Sequence, residues 1–295
     1  MLPTFNSFGA DLCTKSILDN YISKYKLNYY NNNKEYPYIY LNVNGKNAKM
    51  LFDTGASINV FWDNEIIGDS HESLDKKIIT HVHKYEARYT NIVVKDPYGN
   101  ESNQVFYLTQ PSILAEDGYS GIVSPQAISS NNDFVIDFID NCFFISKSAS
   151  FDSLTEYNYY IGPAISNDYD VLGAYIKLDG KNVPLVVDSG APITSISASL
   201  ISTKPIFNQS MYHKDAFGAV IPEEDHMRSL TFKLHGMLIE DQAVQGRLVD
   251  GPEQAGIESY GYIGMDVLKN KIIIYDKKNN LLTFLTSTQP AVAQE

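Results

Sequence analysis

Two short acidic motifs carry the chemistry legible in this chain: Asp53-Thr54-Gly55-Ala56 and Asp188-Ser189-Gly190-Ala191. Each follows an apolar run, Met50-Leu51-Phe52 in the first and Leu185-Val186-Val187 in the second. Each is also preceded by a turn dipeptide, Asn44-Gly45 and Asp179-Gly180. The second acid follows the first by 135 residues, and the turn glycines are separated by the same 135. One Asp-[Ser/Thr]-Gly-Ala match arises by chance in about one chain of this length per hundred. Asp, Ser, Thr and Gly all form turns, so either copy alone reads equally well as a turn closing a strand. The matched spacing argues for a pair. Two carboxyls delivered at strand ends by matching halves suit a shared site in which one acid activates a water and the other donates a proton.

The surrounding elements form a repeat. In the first half Tyr38 to Val43 reads as a strand, Asn44-Gly45 as a hairpin turn, and Ala48 to Phe52 as the return strand that ends at Asp53. Strands follow at Asn91–Val94 and Val105–Leu108, then Gly118-Tyr119-Ser120-Gly121, a short helix opened by Pro125, and strands near Phe134–Ile136 and Cys142–Ile145. The second half retraces this with Tyr175–Leu178, Val183–Val187, Leu230–Leu234, Gly261-Tyr262-Ile263-Gly264, a Met265–Leu268 helix, Ile272–Tyr275 and a last hairpin turning at Asn279-Asn280. Helical periodicity is scarce, so the expected class is all-β. The boundaries expected are 1–36 for an N-terminal extension, 37–147 for a first lobe, 148–172 for a connector, 173–286 for a second lobe and 287–295 for a tail. Within the extension, Ile17, Leu18, Tyr21, Ile22 and Tyr25 have the spacing of a short helix. The extension reads either as a docked or loose terminus or as an inhibitory pro-segment.

Composition bounds the function. The 295 residues have a net charge of −12, and the sequence pI near 4.9 disfavours a nucleic-acid partner, whose phosphates would be repelled. No stretch approaches the roughly 18 apolar residues of a membrane span. Charges at Asp11, Lys15, Asp19, Lys24 and Lys26 interrupt any signal-peptide core, so the expectation is a cytoplasmic protein or a secreted one without its leader. Cys13 and Cys142 are the only cysteines; they read as two buried free thiols or as one bridge pinning the N-terminal segment to the first lobe. His71, His81 and His83 lack a third convergent ligand, so neither a metal nor a cofactor is expected.

At the two motifs the chain resembles the aspartic peptidases, both pepsin-like and retroviral. The resemblance covers roughly residues 37–286 and implies a two-lobed acid-protease fold with pseudo-two-fold symmetry. It implies Asp53 and Asp188 as catalytic acids, with Thr54, Gly55, Ala56, Ser189, Gly190 and Ala191 supporting the loops. The Thr54 and Ser189 hydroxyls are expected to bond across to the opposite loop. The family's late apolar-apolar-Gly segment is matched well by Tyr262-Ile263-Gly264, and less well by Tyr119-Ser120-Gly121, where Ser120 replaces an apolar residue. Ala56 and Ala191 follow the retroviral type, whereas pepsins usually carry Ser or Thr there. The chain thus resembles a covalently joined pair of retroviral-type lobes, and is expected to act on polypeptides as a monomer with an intramolecular pseudo-dimer. Ser57 and Pro192 mark where the halves have diverged. Flap hairpins are expected at His83–Tyr89 and Asp215–Val220. The alternative from another class is a peptide-binding or scaffolding protein that keeps the fold without turnover.

Overall fold

The turn dipeptides behave as their residue types require. Asn44 and Gly45 take φ of 52° and 80°, and Asp179 and Gly180 take 49° and 82°. Positive φ at both central positions matches the right-handed twist of the flanking strands. Each turn therefore joins an antiparallel hairpin, Tyr38–Val43 with Lys46–Phe52 and Gly173–Leu178 with Lys181–Val187. Ile39, Leu41 and Val43 point inward while Tyr40 is exposed, the alternation of a half-buried strand.

The computed structural model describes residues 21–68, 74–79, 84–148, 157–165, 171–202, 207–208, 213–221, 223–247 and 259–288. His71, His81, His83 and Cys13 lie outside them. Each half builds a seven-stranded sheet with one strand order. In the first half the order is Tyr38–Val43, Lys46–Phe52, Gly121–Val123, Asn59–Phe61, Glu101–Leu108, Lys84–Lys95 and Leu74–Ile79. The second half repeats it with Gly173–Leu178, Lys181–Val187, Gly261–Ile263, Ser195–Ser197, Met237–Arg247, Glu223–Leu234 and Phe207–Asn208. In each, the first strand also pairs with the sixth, which curls the sheet into a barrel-like lobe. The molecule is all-β and two-lobed, as its patterning predicts.

A six-stranded sheet joins the lobes and draws three strands from each half. At its centre Asp133–Asp137 pairs with Ile272–Asp276, with Ile136 opposite Ile273. Both faces are covered, and Phe134, Ile136, Phe143, Ile273 and Phe284 are fully buried. Strands buried on both faces read as unbroken apolar runs rather than alternating ones. This is why Phe134–Ile136 and Ile272–Tyr275 were legible as strands without alternation.

Several expectations change here. Of the expected short helix, Ile17 and Leu18 lie outside the described residues, and its end is a strand, Ser23–Lys26, which pairs with Cys142–Ser146. There, pairing with a partner strand decides the backbone rather than the local spacing. Cleavage before Pro37 would strip this edge strand from the inter-lobe sheet. Within the expected connector, Tyr157–Pro163 is a strand on the opposite edge of that sheet, paired with Leu281–Ser287. The last strand runs to Ser287, the first residue of the expected tail. Cys142 is disulfide-bonded, so the bridge rather than the free thiol is realised there. No helix among the described residues is long and apolar enough to cross a membrane.

If the inter-lobe sheet is the common core, Ile273→Ala should cost about 2–5 kcal/mol, the range for a buried Ile truncation. Denaturant unfolding should report that loss in a single transition for both lobes. A variant within about 0.5 kcal/mol of the parent would contradict the assignment.

Candidate active site

Each acidic loop begins where a strand ends, and the strand beside it fixes the exit. Asp53 N–H donates to the Val123 carbonyl and Asp188 N–H donates to the Ile263 carbonyl, both at 3.0 Å. Gly121–Val123 runs parallel to the strand that leads to Asp53, as Gly261–Ile263 does to the strand that leads to Asp188. That register corrects one sequence assignment. The first-lobe equivalent of Tyr262-Ile263-Gly264 is Ile122-Val123-Ser124, and Tyr119-Ser120-Gly121 lies before it. The segment has its two apolar residues; what departs from the pattern is Ser124 in place of glycine. At Gly264 a Cβ would run into the Ile193 backbone. Ser124 carries one and uses its hydroxyl to accept from Ala127 N–H, capping the Pro125–Ser129 helix.

The loops interlock across the lobes. Thr54 N–H donates to Ser189 Oγ at 3.0 Å, and Ser189 N–H donates to Thr54 Oγ1 at 2.8 Å. Each hydroxyl then donates onward across the interface, Thr54 Oγ1 to the Val187 carbonyl at 2.6 Å and Ser189 Oγ to the Phe52 carbonyl at 2.8 Å. Both side chains have no solvent exposure. The glycines complete the fit: a Cβ on Gly55 would lie 2.7 Å from Asp188 Cγ, and one on Gly190 would lie 2.8 Å from Asp53 Cγ. Any side chain at either position would displace the opposite carboxyl.

Asp53 and Asp188 are brought close enough to interact, each carboxyl lying against the glycine of the opposite loop. Both are half-buried. Asp53 Oδ1 accepts from Gly55 N–H at 2.8 Å; Asp188 Oδ1 accepts from Gly190 N–H at 2.9 Å and Ala191 N–H at 3.1 Å. Burial raises both carboxyls above the ordinary value of 3.8, and the charge of Asp53 pushes Asp188 further up. The main-chain amides oppose the rise by favouring the ionised form. The pair therefore holds one proton into a pH range where an exposed carboxyl has lost it, and it titrates as a unit.

Sequence reasoning missed the residues that brace these loops. Asn59 Oδ1 accepts from Ser124 N–H at 3.0 Å, and Thr194 Oγ1 accepts from Gly264 N–H at 3.0 Å. Asn59 and Thr194 are themselves 135 residues apart, so the repeat offset held the signal. Gln126 Nε2 donates to the Thr54 carbonyl at 2.7 Å, whereas Asp266 accepts from Thr194 N–H at 2.8 Å and Thr194 Oγ1 at 2.7 Å. Tyr36 was assigned to the extension, but its half-buried phenol lies in the field of Asp188. Of the first flap candidate, Ala87 is buried and Tyr89 packs against Tyr107 at 6.0 Å between ring centroids. Tyr89 lies within the Lys84–Lys95 strand.

Among solved structures the chain is similar to an aspartic proteinase from Irpex lacteus, at 13% sequence identity and a TM-score of 0.59. The match covers 92% of this chain and 99% of that one. No family model and no curated protein matches the chain. The likeness is one of fold, and the fold is the two-lobed one of the pepsin-like aspartic proteinases.

The raised carboxyl makes stability depend on pH with a definite sign. A folded value above the unfolded 3.8 means the native state holds the proton more tightly. That contribution is full below 3.8 and is lost as pH rises through the folded value. Asp188→Asn removes the loss, so its melting temperature should gain on the parent's as pH rises above 3.8. Asp137, pushed up to about 6 by burial, has the same sign in both proteins and cancels in the difference. A difference that stays flat across this range would contradict the shared, buried proton.

Proposed function

We propose that this chain is an aspartic endopeptidase that hydrolyses peptide bonds with a water activated between Asp53 and Asp188. One observation carries the reading: two half-buried carboxyls, each delivered by an equivalent loop of its own lobe and each packed against the glycine of the opposite loop. Such a pair supplies a base and an acid together. The ionised member takes a proton from the water as its oxygen attacks the scissile carbonyl carbon. The neutral member donates its proton to the carbonyl oxygen, giving a neutral tetrahedral diol. Collapse returns a proton to the leaving amine and breaks the C–N bond, with no covalent enzyme intermediate. Thr54 and Ser189 would keep the two loops, and so the two carboxyls, in one plane. Gly55, Gly190, Ala56 and Ala191 would leave room for the dyad and direct amides at it. Both halves of the site lie in one chain, so the working unit is a monomer. A peptide-binding protein of this fold without turnover is the reading that the same experiments would expose.

Asp53→Asn and Asp188→Asn should each lower kcat/KM on a cleaved peptide by at least about 10³-fold while the fold persists, because neither acid performs both proton transfers. Substantial turnover in either variant would overturn the dyad. The pH profile tests the loop chemistry. Burial raises both carboxyls, and neither Ala56 nor Ala191 offers a hydroxyl to hold an ionised carboxylate down. Below the lower apparent value both acids are neutral and no base remains, so activity should peak at mildly acidic to near-neutral pH and fall on the acid side. Ala56→Ser should move the acid limb downward. An optimum below about pH 3 would contradict this account.

A further inference from the structure

The second-lobe hairpin expected as a flap has an unusual resting place. His213–Lys214 and Val220–Ile221 form a two-stranded sheet separate from the seven-stranded sheet of their lobe. Asp215 shapes the tip: its carboxylate accepts from Phe217 N–H at 3.0 Å and Ala219 N–H at 2.9 Å, and Gly218 turns the chain at φ 88°. The turn presents Ala216 and Phe217 away from the second lobe. Both pack against a first-lobe apolar cluster that includes Trp62, Tyr119 and Ile122. Ala56 and Ile58, from the Asp53 loop, pack on the same cluster. The Ser112 hydroxyl of the first lobe donates to the Ala216 carbonyl, and a Cβ on Gly218 would lie 3.0 Å from Ile113 Cγ2. The tip thus crosses from one lobe to the other and packs an aromatic side chain on an apolar surface that it shares with the Asp53 loop.

We propose that Ala216-Phe217 is a built-in occupant of this apolar surface, and that a peptide offering an aromatic or branched aliphatic side chain there must displace it. The inference rests on the peptidase reading for its ligand, while the docked tip stands on the contacts alone. The hairpin is suited to the exchange. Its short paired strands do not belong to the lobe's main sheet, so it withdraws without breaking the lobe, as low-stability segments do. Ligand and tip compete for one apolar surface, so ligand affinity falls by the fraction of molecules with that surface uncovered. The surface then selects side chains able to replace a phenyl ring, and small or charged ones leave the tip in place.

Trp62 is the only tryptophan of the chain and lies in this cluster, so it reports on the surface without any turnover. Acrylamide quenching of Trp62 and calorimetric binding of a statine-type peptide inhibitor are compared in the parent, Phe217→Ala and Phe217→Leu proteins. Phe217→Ala should raise quenching and tighten inhibitor binding about tenfold, the gain expected when the open fraction rises from about one tenth to near one. Phe217→Leu covers the surface again and should stay within about twofold of the parent in both readouts. Unchanged quenching in Phe217→Ala, or inhibitor binding that is unchanged or weaker, would overturn the proposal. If no protein binds the inhibitor, the peptidase reading fails, and the quenching comparison still decides whether Phe217 covers Trp62.

Discussion

The arrangement of this molecule depends on two hydroxyls exchanged across its pseudo-two-fold axis. Thr54 and Ser189 each accept an amide from the other loop and each donate to a carbonyl of the opposite strand end. Four hydrogen bonds are thereby closed in a place that water does not reach. An unpaired donor or acceptor left there would cost about 1–3 kcal/mol. Neither loop can therefore shift alone without leaving such a group behind. The proximity of Asp53 and Asp188 follows from this, since each carboxyl sits where a side chain on the opposite glycine would be. Proximity and burial together then raise the pair's affinity for a proton. Geometry at the grip becomes chemistry at the dyad.

Around this symmetric centre the two lobes have diverged in how they brace their loops. Asp266 fixes Thr194 through a carboxylate, whereas the equivalent Gln126 reaches the Thr54 carbonyl through an amide. Gly264 permits close approach to Ile193, whereas Ser124 spends its hydroxyl on a helix cap. Pro192 has no N–H to offer, and its carbonyl accepts from Asp266 N–H at 3.1 Å. A joined pair of lobes can vary in this way because each loop has to fit only one partner. In the second lobe the hairpin tip at Ala216 and Phe217 reaches the opposite lobe.

Much of this could be read from the chain because the informative features are local. Asn44-Gly45 and Asp179-Gly180 dictate their turns, the alternation of Tyr38–Val43 dictates its faces, and the offset of 135 residues pairs the motifs. The parts that resisted reading depend on contacts distant in sequence. Ser23–Lys26 becomes a strand because the Cys142–Ser146 edge awaits it, not because of its own pattern. Tyr157–Pro163 likewise finds its edge only once Leu281–Ser287 is in place. The register error at Tyr119-Ser120-Gly121 arose because a serine at 124 hid the apolar-apolar-Gly pattern, and only the pairing of Leu51 with Ile122 restores it. Gln126 carries no motif, so its bracing role comes from geometry alone.

The central claim is that the grip forces the two aspartates to share one proton. Carboxyl carbon NMR of the aspartate-labelled protein, titrated from acid to neutral pH, tests it most directly, with Asp53→Asn and Asp188→Asn assigning the two signals. The account predicts that both signals move together in two steps, the upper one well above 3.8, and that removing either acid collapses them to one. Two carboxyls that each titrate once near 3.8, indifferent to the loss of the other, would contradict it.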